Sequence, residues 1–134
     1  MNGNEAPCPT KYVFDTCAAT FLIKRDKRML DMEETLNTGD WYASVITRIE
    51  LYAEPDMSAD KRAGVDSFIE STSVIPMDDA IEQVTIAIRR DWRPKVLLPD
   101  CIVAATAVAL GATLLTGDDT LKKLVWPGYT VHSL

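Results

Sequence analysis

Residues Leu98 to Asp119 read LPDCIVAATAVALGATLLTGDD, and this stretch holds a helix, a stop, a strand and the start of a second helix. Pro99 and Asp100 suit a first helical turn, where a missing N–H costs nothing and a negative charge meets the positive end of the helix. Gly111 marks the stop. ATLLT (112–116) then reads as a strand apolar on both faces, and GDDTLKKL (117–124) as a short helix. A carboxylate beside so apolar a run is costly to bury unless something pairs with it, so Asp100 calls for a partner elsewhere in the chain.

Upstream, KYVFD (11–15) is a β-rich run that stops at an acid, and TCAATFLIKRDKRML (16–30) continues in helix formers. WYASVIT (41–47) is a second β-rich run, followed by RIELYAE (48–54) with apolar residues at helical spacing. SADKRAGVDSFIEST (58–72) has Ser58 as its N-cap and Ala63, Val65, Phe68 and Ile69 on its apolar side. VIPM (74–77) predicts a short strand, and DDAIEQVTIAIRRDW (78–92) a helix carrying Ile81, Val84, Ile88 and Trp92 at about the helical period. YTVHSL (129–134) predicts a last strand. Strands alternating with helices imply an α/β protein, a central parallel sheet of four to five strands covered on both faces. In such sheets functional groups gather where the carboxyl ends of strands feed into helices.

A chain of 134 residues, 47% hydrophobic, is sized for one domain that buries roughly two-thirds of its unfolded surface. That domain is expected over 11–134, with residues 1–10, which carry two prolines and no periodicity, as a flexible arm. No apolar stretch reaches the roughly 18 residues of a membrane span, and the first residues lack the basic start and apolar core of a secretory signal. A cytoplasmic protein with no membrane partner is the expectation. Three cysteines without C-x-x-C spacing and a single histidine, His132, assemble no zinc pattern and no Ser/His/Asp or Cys/His arrangement. The net charge of −6 argues against holding long nucleic acid by bulk charge. Two local basic clusters stand out, IKRDKR around Lys24, Arg25, Lys27 and Arg28, and RRDWRPK around Arg89, Arg90, Arg93 and Lys95; the plain reading of such runs is a solvated helix face.

The acids divide between cap and site. Asp15 ends the first strand and also suits the N-cap of TCAATFLI. Thr116 with Asp119 fits a capping-box-like start in which Asp118 favours the positive helix end. Asp100 is a plausible first-turn acid. Glu50 has Glu54 four residues on, and a like-charge pair at that spacing weakens a helix. Three or four carboxylates at one sheet edge would repel one another and raise their pKa values unless a cation sat among them. Oxygen ligands without His or Cys select a hard ion, Mg²⁺ or Mn²⁺.

VFDTCAAT, TRIELYAE and LPDCIVAATAVALGATLLTGDD occur in the order and approximate spacing of PIN domains, and the chain from Lys11 to Leu134 resembles the VapC-type toxins of bacterial toxin–antitoxin pairs. The resemblance implies a three-layer α/β/α Rossmann-like fold and a metal-dependent endoribonuclease acting on cytoplasmic RNA, paired as a homodimer and silenced by a cognate antitoxin. It implies Asp15, Glu50, Asp100 and Asp118 as the catalytic, metal-holding acids, with Asp119 as an additional or substitute ligand and Thr16 and Thr116 as small hydroxyls beside them. Glu50 would complete the metal shell or orient the attacking water. Overall acidity departs from an RNA-binding surface and shifts phosphate contact to Lys24, Arg25, Arg89, Arg90 and Arg93. LNTGDWYASV (36–45) and the helices around Met29, Leu30 and Phe68 are candidate partner surfaces. A phosphatase of the haloacid-dehalogenase type would need a second aspartate two residues after the first, where Cys17 stands, and a receiver domain would need its acidic pair early. A PIN fold that serves only as a binding module is the remaining alternative, disfavoured by the intact acid set.

Overall fold

Each apolar run leads into a helix at the point where its acid or hydroxyl can cap it. The computed structural model describes residues 8–92 and 96–134. β1 (Lys11–Phe14) passes through Asp15 into α1 (Thr16–Ile23), then two single-turn helices, α2 (Lys27–Leu30) and α3 (Glu33–Leu36). β2 (Asp40–Ser44), α4 (Val45–Tyr52), α5 (Ala59–Glu70) and β3 (Ser73–Ile75) follow, then α6 (Asp79–Trp92), α7 (Leu98–Leu110), β4 (Thr113–Thr116), α8 (Asp119–Lys123) and β5 (Thr130–Ser133). Residues 1–7 of the expected arm lie outside the described residues, as do Arg93 and Lys95 of the second basic cluster.

The five strands form one parallel sheet in the order β3-β2-β1-β4-β5. The chain winds outward from β1 to β3, returns across the sheet to β4 and leaves on the other side, so its direction reverses between β1 and β4. At such a reversal the connections diverge and open a crevice at the carboxyl edge.

Alternate residues of β1 serve two cores. Val13 packs with Ile81, Ile88, Ala104 and Leu114 on the face covered by α6 and α7. Phe14 packs with Met29, Val65, Phe68 and Leu115 on the face covered by α1 and α5. The period-2 alternation therefore divides the fold into three layers, and Cys101 to Ala107 of α7 are buried all round, as a helix apolar on every side requires.

Three expectations need correction. The run 16–30 is two helices, because Arg25 turns to φ 56° and the Asp26 carboxylate restarts the chain by accepting from Arg28 N at 2.9 Å. Strand 41–47 stops at Ser44, whose hydroxyl caps α4 by accepting from Ile46 N at 3.1 Å; the cap overrides the strand preference of Val45, Ile46 and Thr47. Met29 and Phe68 are core residues and offer no surface to a partner, whereas Leu30 is exposed. Among the described residues no helix is long and apolar enough to cross a membrane.

Candidate functional site

The cap geometry of β1 and α1 fixes the first acid. Asp15 is only 5% exposed; its Oδ1 accepts from Ala18 N at 2.7 Å and its Oδ2 accepts from the Thr116 hydroxyl. Thr116 ends β4 and its Oγ1 in turn accepts from Asp118 N at 2.9 Å. A single hydroxyl thus joins the acid after β1 to the acid after β4. Asp118 is the N-cap of α8, its Oδ1 accepting from Leu121 N at 2.9 Å. The capping assigned to Asp119 is therefore corrected: Asp119 is the first helical residue, its side chain 88% exposed beside Lys122 at 3.8 Å.

Asp100 stands beside Pro99 in the first turn of α7, a helix with no side-chain cap of its own. Glu50 projects from α4, exposed, and accepts from the Thr16 hydroxyl at 2.6 Å. Glu54 lies beyond α4, past its Ala53 C-cap, and pairs with Lys61, so the like-charge pair expected at helical spacing does not stand on the helix. Asp15, Glu50, Asp100 and Asp118 line one cavity of about 180 Å³ with Thr16, Cys17 and Val103. Gly117 lets the loop after β4 close against α1: a Cβ there would lie 2.8 Å from Cys17 Sγ.

Charge in this cavity is uncompensated. Among the described residues none of the four carboxylates forms an ion pair. Burial lifts the Asp15 carboxyl from an ordinary 3.8 to about 6, the Thr116 and Ala18 hydrogen bonds resist the rise, and the Asp100 and Asp118 charges add to it. Asp100 is raised as well, by burial first and then by Asp118 and Glu50. Cys17 is pushed up by burial and by Asp15, so it is a thiol at neutral pH and no poised nucleophile.

Oxygen donors alone, three or four of them anionic, suit a hard divalent cation. Among the described residues no three acidic, histidine or cysteine side chains stand together as a closed metal group. Asp15 spends both its oxygens, on Ala18 and Thr116, while Glu50 spends one on Thr16 and Asp118 one on Leu121. The donor set fits the cation in chemistry and in sharing one cavity.

The basic residues scatter. Lys24 lines a groove of about 270 Å³ that shares Thr16 and Glu50 with the acid cavity. Arg25 lines a different depression, with Glu33 and Trp41. Arg89 donates to Val96 O at 2.7 Å, bracing the approach to α7, and Arg90 is exposed on α6. Two residues escaped the sequence reading. Lys61 of α5 lines the Lys24 groove. The half-buried Tyr129 donates to Leu121 O at 2.7 Å and is pushed well above the usual tyrosine range by burial and by Asp15, Asp118 and Asp100. No local pattern marks either: Lys61 comes to its groove with α5, which packs on α1 and α4, and Tyr129 to its place just before β5, which pairs with β4.

The profile of the PIN domain family matches residues 12–127. Among solved structures, the chain is similar to VapBC2 from Rickettsia felis bound to a DNA fragment from their promoter, at 19% identity over 92% of this chain and 98% of that one, TM-score 0.76. It is similar to DNA-bound VapBC from Salmonella typhimurium, at 24% identity over 92% and 98% of the two chains, TM-score 0.75. It is also similar to VapBC-5 from Mycobacterium tuberculosis, of the VapBC family of toxin-antitoxin systems, at 20% identity over 94% and 100%, TM-score 0.69. No curated protein matches it in sequence.

Proposed function

The chain belongs to the PIN domain family, and from that premise we propose that it is a metal-dependent endoribonuclease that cleaves cytoplasmic RNA as the toxin of a toxin–antitoxin pair. The observation that carries the reading is the convergence of Asp15, Glu50, Asp100 and Asp118 on one cavity at the carboxyl edge, beside the reversal of the sheet, with none of the four in an ion pair among the described residues.

In this reading Asp15, Asp100 and Asp118 hold Mg²⁺ or Mn²⁺, and Glu50 completes the shell or orients the attacking water. The bound ion supplies a lowered pKa for water and neutralises charge on the scissile phosphate. Glu50, exposed at the cavity mouth and steadied by Thr16, accepts the proton of the attacking water as the new P–O bond forms, while the P–O bond to the leaving ribose oxygen breaks and that oxygen takes a proton from solvent. Asp119, turned outward to Lys122, stays outside the shell. Lys24 is the phosphate contact best supported, because its groove adjoins the acids. The toxin-antitoxin relatives support a cognate antitoxin as partner, and a homodimer and a cytoplasmic location belong to the same proposal.

A binding module without chemistry is the second reading, favoured by the open arrangement of the carboxylates. Purified, antitoxin-free protein incubated with a mixed cellular RNA pool separates the two. Discrete fragments are expected with Mg²⁺ or Mn²⁺, none with EDTA, and none from Asp100→Asn, which removes charge and little volume. Intact RNA from a folded wild type under every condition would leave the binding module.

A further inference from the structure

The acid cavity, about 180 Å³, has room for ions, waters and a phosphate but not for a nucleoside, since organic ligands occupy cavities of roughly 300 to 1,000 Å³. Recognition of a base next to the cut therefore lies beyond its walls. A depression of about 570 Å³ lined by Gly39, Asp40 and Ser73 sits at the amino ends of β2 and β3, the opposite edge of the sheet from the acids. The groove of about 270 Å³ past Thr16 and Glu50 has, among the described residues, no aromatic wall. A third cavity, about 490 Å³, is lined by Trp92, Asp119, Thr120 and Lys123. Asp119 follows directly on Asp118, a wall of the acid cavity, so the first turn of α8 separates the two spaces.

We propose that this third cavity is a nucleobase pocket, which takes the base of a nucleotide adjoining the one whose phosphate lies among the acids. Its use in catalysis rests on the nuclease reading. Trp92, the last residue of α6, is half-buried and packs against the core while lining the cavity, so its indole is a fixed flat surface. Bases stack on such surfaces whatever their identity. Selectivity comes from the α8 wall. The Asp119 carboxylate, 88% exposed, stands 3.8 Å from the Lys122 ammonium, beyond hydrogen-bond distance, and so keeps its acceptor oxygens for a base amino group. Thr120 donates or accepts, and the Lys123 ammonium faces the backbone phosphate. This arrangement favours adenine, cytosine or guanine over uracil, whose N3–H donor lies between two carbonyl oxygens that repel the carboxylate. It also meets the net charge of −6, because stacking holds a strand without a broad basic surface.

The test uses the full chain in EDTA with labelled single-stranded hexanucleotides of A, C or U, read by fluorescence anisotropy. Hexamers of A or C should bind more tightly than U. Trp92→Leu should weaken A and C binding by about ten- to hundredfold and erase the order, and Trp92→Phe should keep it. Thr120→Met fills the cavity from the α8 side and leaves the packing of the indole alone; it should reproduce the loss, and it decides the matter should Trp92→Leu fail to fold. Equal affinity for all hexamers, unchanged in Trp92→Leu and Thr120→Met, overturns the pocket and leaves a peptide side chain as its occupant. EDTA keeps cleavage out of the measurement. Base-selective binding by a protein that cuts nothing with Mg²⁺ would sink the nuclease reading alone, and cleavage by a protein whose hexamer binding ignores Trp92 would sink the pocket alone.

Discussion

Asp15→Asn should stabilise the metal-free protein at neutral pH, although Asp15 is both a helix cap and a proposed metal holder. The folded carboxyl titrates at about 6 against an ordinary 3.8. Its contribution to stability is therefore fully present below about pH 3.8, declines as pH rises between the two values, and is lost above about 6. At about 1.36 kcal/mol per pKa unit, the charged form costs the fold about 3 kcal/mol at pH 7.5. Asparagine removes that charge and keeps an oxygen for Ala18 N. Its amide must then face Thr116, whose hydroxyl proton loses its acceptor, at a cost of about 1 kcal/mol. The net gain is about 2 kcal/mol, or about 6 to 10 °C in Tm for a domain of this size. Thermal melts in EDTA at pH 7.5 and pH 4 provide the assay: the variant should melt higher at pH 7.5, and the gap should close at pH 4, where the wild-type carboxyl is protonated. Added Mg²⁺ should raise the wild type and leave the variant nearly unmoved. A variant that melts below wild type at pH 7.5 in EDTA, or a gap indifferent to pH, would refute the account of Asp15 as a buried charge awaiting a cation.

Asp118→Asn and Asp118→Ala should separate two duties. Asparagine retains the cap on Leu121 and should leave Tm within a degree or two while weakening Mn²⁺ binding by calorimetry, whereas alanine should lose the ion and also about 1 kcal/mol of stability in urea unfolding. Gly117→Ala should cost about 1 to 3 kcal/mol, because its Cβ would stand 2.8 Å from Cys17 Sγ. Combining it with Cys17→Ala should recover part of that loss, and strict additivity of the two would show that the sulfur is not what Gly117 accommodates.

The layers and the edge where the acids meet were legible because strong, local signals agreed. A Pro-Asp start, a glycine stop and a strand apolar on both faces leave α7 and β4 no other arrangement. The errors came where one side chain outweighs a propensity. Ser44 ends its strand by capping α4 although Val45, Ile46 and Thr47 prefer strands, and Asp26 restarts a helix that the run of helix formers would carry through. Asp118 and Asp119 are chemically alike, and only the backbone turn after Thr116 decides which one caps. The basic clusters misled most, since adjacency in sequence says nothing about facing: Lys24 and Arg25 are neighbours that line different depressions, and Arg89 spends itself on Val96. Lys61 reaches its groove through the packing of α5 on α1 and α4, and Tyr129 its place through the pairing of β5 with β4, neither of which a local pattern encodes.

That sheet order also governs when the cavity exists. β1 lies at the centre, and its second edge pairs with Thr113–Thr116, about a hundred residues further along the chain. The hydroxyl that Thr116 offers Asp15 comes from a residue 101 positions later. Pairings this distant form late and slowly, and a chain emerging from the ribosome amino end first carries Asp15, Glu50 and the α5 layer long before Asp118 arrives. Until β4 and the turn after it have been made, the nascent chain holds an incomplete set of acids beside a ribosome rich in RNA, and the set becomes whole only when β4 pairs with β1.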